Sequence, residues 1–254
     1  MRVFQVGSAE RCLGLATPIG ARFALVKFGG GVAAMSGKLG GTVFAHNKGG
    51  PYARNWVKPT DPNTDRQSAV RQIMSDLMSH WNDNLTVLQR EAWKTYADAV
   101  TVLNRFGEPV HIPAISWFGG CNIQRVNATL NRIDDAPVIF NRGVGDDLIE
   151  VVASEATQQL SVTFNAGLDW VDEDQSALLV YASRPKNPTT DFFRGPYRLA
   201  GFIEGDSVAP PATPQVMDAP FGFAEGQKLF YRFVITRADA RYTPSMFLGG
   251  LGVA

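Results

Sequence analysis

Gly37-Lys38 is the first pair that could do chemistry, because a Gly-Lys closing a glycine-rich loop can cradle nucleotide phosphates. The spacing refuses it. Such a loop needs glycine five positions before the pair, where Val32 stands, and Ser or Thr after the lysine, where Leu39 stands. Gly29-x-Gly31 with Ala34 imitates a dinucleotide fingerprint, but no strand–turn–helix unit surrounds it. His46, His80 and His111 never fall at ligand spacing, and only Cys12 and Cys121 accompany them, so no metal site is expected. His46 belongs to a basic arm, His80 ends a helix where partial positive charge suits the dipole, and His111 falls in a loop. Asp169-Trp-Val-Asp-Glu-Asp174 gathers four acids in six residues. It lacks the glycine and alternating oxygen ligands of a calcium loop and is expected to be a solvated turn. No Ser or Cys sits in a nucleophile elbow. The expectation is a protein that is not an enzyme and has no catalytic, cofactor-binding or metal-binding residues.

Lys38, Lys48, Arg54 and Lys58, interleaved with Phe44, Tyr52 and Trp56, have the composition of a platform for single-stranded nucleic acid. The cations are few and no sheet face for such a platform is expected, which counts against nucleic acid. The same aromatics would anchor a protein interface well. Phe44, Tyr52, Arg54 and Trp56 are therefore the expected interface residues.

The elements that must position them come next. Two β-prone runs, Thr42–Phe44 and Tyr52–Val57, flank the turn sequence Asn47-Lys-Gly-Gly-Pro51, which makes residues 1–62 an extended arm with a β-hairpin. Within residues 1–34, Arg2–Val6 and Arg22–Phe28 could be strands, and Gly29-Gly-Gly31 marks a joint. A free arm of this kind finds its pairing partner on a neighbouring subunit. Residues 63–139 read as a helical domain. Val70, Ile73, Met74, Leu77, Met78 and Trp81 form one apolar stripe behind a Thr64/Gln67 capping box. Thr86 and Gln89 repeat the box before Ala92, Trp93, Tyr96, Ala97 and Val100. The pair is a helical hairpin whose facing aromatics are Trp81, Trp93 and Tyr96, and a Met and Trp stripe of this kind is plain core. After a connector, Asn104–Pro113, Ser116 caps a third helix that turns Cys121, Ile123, Val126 and Leu130 inward.

From residue 140 the period changes to two. Leu148–Val152, Leu160–Phe164, Ala177–Ala182, Tyr197–Ile203, Leu229–Ile235 and Tyr242–Leu248 read as strands, with Pro210–Pro220 a long loop. Short strands at this density indicate an antiparallel β-sandwich of immunoglobulin or fibronectin type over residues 140–254. The fold class expected is α+β.

Charge balances at 24 against 24, but unevenly. Residues 1–66 hold nine Lys/Arg and three Asp/Glu, whereas residues 140–254 hold nine and fourteen. A basic front and an acidic back suit head-to-tail contact between identical copies; chance unevenness is the plain alternative. Two cysteines are too few for a disulfide framework, and both are expected as buried thiols, with a bridge left open. No secretory signal and no run approaching the roughly 20 apolar residues of a membrane span is apparent, so no membrane partner is expected and synthesis is cytoplasmic.

Ser36-Gly-Lys-Leu-Gly-Gly-Thr-Val-Phe44, Asn47-Lys-Gly-Gly50, Tyr52-Ala-Arg54 and Pro59-Thr-Asp-Pro-Asn-Thr64, leading to Leu85-Thr86 and Gln89-Arg-Glu-Ala-Trp93, together resemble a largely uncharacterised family of virion structural proteins from tailed bacteriophages and prophages. In that family a glycine-rich opening precedes a helical hairpin, an Asn-rich helix like Asn122–Asn131 and a fibronectin-like tail. The resemblance covers about residues 28–135 by motif. It implies a virion location, partners that are copies of the same chain and other virion proteins, and no small-molecule ligand. The chain departs from the pattern in its segment 1–34 and in Ala114-Ile-Ser-Trp117. A second reading of the same sequence is a carbohydrate- or host-surface-binding module whose sandwich loops expose Trp170, Phe192, Phe193 and Tyr197.

Overall fold

The structure is a computed structural model and describes residues 23–27, 35–47, 50–58, 61–104 and 106–252. Cys12, Arg2–Val6, Gly29–Gly31 and Lys48 lie outside the described residues. The chain is a mixed α+β protein, and it divides into two compact units, Met1–Pro62 and Asn63–Ala254.

The first unit contains β1 (Phe23–Leu25), β2 (Gly37–Leu39), β3 (Thr42–Asn47) and β4 (Gly50–Asn55), paired antiparallel in the order β1-β4-β3-β2. The β3–β4 ladder closes at Asn47 and Gly50, as the turn sequence between them requires. The hairpin is thus the middle of a four-stranded sheet and not an open arm. No described side chain in this unit is fully buried.

In the second unit both capping boxes form. Thr64 Oγ1 accepts from Gln67 N at 3.4 Å and Thr86 Oγ1 from Gln89 N at 3.2 Å, and each glutamine side chain accepts in return from its threonine N–H. These start α1 (Asp65–Asp83) and α2 (Val87–Ala99). The apolar stripe of α1 is buried only at its far end, Leu77 and Trp81; Val70 is exposed, as is Ala92 of α2. α3 (Ala114–Asn127) starts at Pro113, whose carbonyl accepts from Ser116 and Trp117 N–H. Ser116 therefore lies inside the helix and does not cap it. Phe118 of α3 stands between Trp81 (5.3 Å) and Trp93 (5.6 Å), so the aromatics of α1 and α2 meet through α3. The connector expected over 104–113 is part of a hairpin, β5 (Thr101–Leu103) with β6 (Pro109–His111). Asn104 Oδ1 accepts from Phe106 and Glu108 N–H to organise its turn, with Gly107 at φ +77°.

Seven strands follow. β7 (Glu150–Ser154), β8 (Gln159–Thr163) and β11 (Gln215–Asp218) form one antiparallel sheet in the order β11-β8-β7. β9 (Ala177–Ser183), β10 (Tyr197–Glu204), β12 (Lys228–Thr236) and β13 (Met246–Gly252) form another, β10-β9-β12-β13. β11 lies inside the segment expected to be loop. β13 begins four residues later than expected; Tyr242 makes an isolated antiparallel bridge to Thr236 and packs its ring on Trp117, 5.9 Å away. One apolar cluster fills the space between the sheets, with Val151, Leu160 and Val162 on one side and Leu178, Val180, Tyr231, Phe233 and Ile235 on the other. The opposite face of β9 and β12 (Leu179, Tyr181, Val234) packs on Ala128 and Leu130 beyond α3. β9 is therefore buried along its whole length, which is why Ala-Leu-Leu-Val-Tyr-Ala reads as a continuous apolar run. The boundary expected at 139/140 runs through this shared core.

Arg125 fastens the layers. It is 1 % exposed, and its Nε donates to Asn131 O at 2.6 Å while Nη1 donates to Gln175 O (2.9 Å) and Arg237 O (2.7 Å). Burial pulls its pKa below the ordinary guanidinium value, against the opposing pull of Glu173 and Asp239. Three backbone carbonyls accept from its Nε and Nη1, the kind of pairing that lets such a group be kept inside.

Candidate functional site

Strand register decides which arm residues meet. Val43 pairs with Arg54, Phe44 with Ala53 and Ala45 with Tyr52, while Lys38 pairs with Val43. Because side chains alternate across a strand, Lys38, Val43, Ala45, Tyr52 and Arg54 share one face and Phe44 lies on the other. Trp56, two residues beyond Arg54, joins the first face, where Lys38 Nζ sits 3.9 Å from its ring centroid. Of the four expected interface residues, Tyr52, Arg54 and Trp56 are thus brought together, Lys38 is added, and Phe44 is not among them. Trp56 is 53 % exposed and Leu39, on the Phe44 face, 66 %. The sheet face whose absence argued against a nucleic-acid platform is present, so that part of the sequence argument is corrected.

A concave surface lies on the other unit. Phe193 packs on Tyr197 (5.2 Å) and Phe230 (5.5 Å), and Tyr197 on Phe247 (6.0 Å). With Phe192, Arg194 and Leu248 they line a half-open groove of about 530 Å³. Lys186 Nζ lies 4.7 Å from the Phe193 ring and the Arg194 guanidinium 5.4 Å from Phe192. Three of the aromatics expected on the sandwich loops are therefore here. Trp170 is not: it is buried against Phe164 at 5.3 Å. Phe230 and Phe247 were hidden inside apolar strand runs, and only the register turns them this way.

His80, Glu173 and Asp174 are engaged structurally. His80 Nε2 meets Asp134 Oδ1 at 2.9 Å, and the Asn84 amide donates to its Nδ1 at 2.8 Å, so both ring nitrogens are occupied. His46 is exposed in β3, and His111 ends β6 instead of lying in a loop. Cys121 is fully buried, and burial drives its thiol pKa far above the ordinary range, the opposite of what a nucleophile needs. In the acidic segment Glu173 pairs with Arg237, and Asp174 Oδ1 accepts from Ser207 N–H at 2.8 Å. Gly37–Leu39 is a strand in this sheet, not a phosphate loop. Among the described residues no cluster of His, Cys, Asp and Glu is placed to hold a metal ion, and no helix is long and apolar enough to cross a membrane. No protein-family model, curated protein or solved structure matches the chain.

Proposed function

We propose that the chain is a non-enzymatic structural component of a bacteriophage particle, in head, neck or tail with the outer head or neck preferred, and that copies join through the N-terminal unit. The observation that carries this reading is the four-stranded sheet without a fully buried described side chain, which presents Tyr52, Arg54 and Trp56 on one face. A sheet whose described side chains all stay at least partly exposed gains little from its own burial and is completed by packing against something else. The resemblance of about residues 28–135 to phage structural proteins supplies the context. The proposal includes an immunoglobulin- or fibronectin-like sandwich over residues 140–254, supported by the two sheet orders and their shared apolar filling.

The test is sedimentation of the full chain beside a Tyr52→Ala/Trp56→Ala variant. Loss of higher-order species with unchanged thermal unfolding supports the reading. A variant that assembles normally but no longer retains single-stranded oligonucleotide sinks it in favour of nucleic-acid binding. The aromatic groove favours a second reading, a carbohydrate- or host-surface-binding module; a stable monomer retained on glycan beads would establish that one instead.

A further inference from the structure

The N-terminal sheet face is cationic as well as aromatic, and the other unit carries the complementary charge in one place. The β8–β9 connection (residues 164–176) and the β10–β11 connection (residues 205–214) are held side by side. Asp206 N–H donates to Val171 O at 3.0 Å, Gly205 N–H to Ser176 O at 3.1 Å and Ser207 N–H to Asp174 Oδ1 at 2.8 Å. This brings exposed Asp169, Asp172, Asp174, Glu204 and Asp206 to the same end of the unit. Residues 165–176 and 204–209 contain no Lys or Arg. Arg237 nearby is taken up by Glu173 and Asp169. The N–H groups of Ala209 and Val208 hold Asp206 below the ordinary carboxylate range, so it stays charged. Residues 1–62, by contrast, carry eight basic and two acidic side chains, with Lys38 and Arg54 on the aromatic face.

Resting on the assembly reading above, we infer that the Lys38/Tyr52/Arg54/Trp56 face of one copy docks on the acidic β8–β9/β10–β11 end of a second copy. The two surfaces belong to different units of the chain, so the contact is head-to-tail. Contacts of that kind close when the rotation they repeat returns to its start, as a reciprocal pair or a larger ring, and otherwise continue into a filament. The aromatics exclude water at the centre of the contact while the charges set its polarity and rate of encounter. A cationic face paired with an anionic end also prevents face-to-face and end-to-end association of identical copies, because like charges then meet.

The experiment uses the full chain and two reversed forms, Lys38→Glu/Arg54→Glu and Asp169→Lys/Asp172→Lys/Asp174→Lys. Sedimentation velocity over a range of concentrations at low and high salt reads the assembly state, and thermal unfolding verifies folding. Wild type is expected to form a concentration-dependent series that weakens as salt screens the charges. Each reversed form is expected to associate at least tenfold more weakly. An equimolar mixture of the two is expected to regain assembly, since each reversed surface then meets its opposite. Lys38→Glu alone, at an exposed position, serves if the double change perturbs folding. The inference is overturned if the wild type is monomeric throughout, if the reversed forms assemble like wild type, or if the mixture fails to recover. Assembly lost in Tyr52→Ala/Trp56→Ala but untouched by charge reversal would leave the N-terminal interface standing and remove only the acidic end as its partner.

Discussion

The N-terminal sheet and the Asn63–Ala254 unit are built from similar apolar residues but hold them differently. In the larger unit Trp93, Trp117 and Trp170 are each at most 2 % exposed, the first two within the cluster around the helices and the third within the cluster between the sheets. In the sheet Trp56 is half exposed, with Lys38 Nζ over its ring. The same side chain therefore works for folding in one region and stands available for contact in the other. The difference teaches that aromatic content does not reveal where a protein's stability lies; the number of layers around the ring does.

That contrast is sharpened first by Trp93→Ala. The ring is fully buried, makes edge contacts with Tyr96 and Phe118, and donates to Asp134 O at 2.9 Å. Its truncation is expected to cost about 3–5 kcal/mol of folding stability in chemical denaturation. Next is Gly205→Ala. A Cβ there would meet the Trp170 carbonyl and the Ser176 hydroxyl, and Glu173 O at 2.8 Å, with mostly backbone in the way. Roughly 1–3 kcal/mol or more of destabilisation is expected from such crowding, read as a lowered unfolding midpoint. Trp56→Ala breaks the comparison if it behaves like Trp93→Ala. It is expected to leave unfolding within about 0.5 kcal/mol of wild type, as surface changes do, while weakening assembly by roughly 2 kcal/mol. The smallest effect is Thr86→Ala, which removes the cap of α2 and should lower stability by about 1 kcal/mol.

Local signals were legible in the sequence, and non-local ones were not. Both capping boxes form because their partners lie three residues apart, and the β3–β4 hairpin closes at its turn residues. Four residues, Gln215–Asp218, become β11 only through pairing with β8, more than 50 positions earlier, and the surrounding prolines disguised them. Trp170 was hidden by the acids on either side of it, yet the loop turns its ring inward and leaves the carboxylates outside. Phe44 was assigned to the interface from composition, whereas register places it on the opposite face from Tyr52 and Arg54. The signal that could have revealed Arg125 is its position one helical turn from Cys121, on an otherwise inward-facing side of α3.

Arg125 has a mechanical consequence. Its guanidinium ties α3 to backbone at residues 131, 175 and 237, the last 112 positions away along the chain. A pull on the helices is therefore passed straight to the ends of two strand connections, with no stretch of soft packing in between. The unit should yield in one step under load, as a single rigid tile, and not peel apart helix by helix.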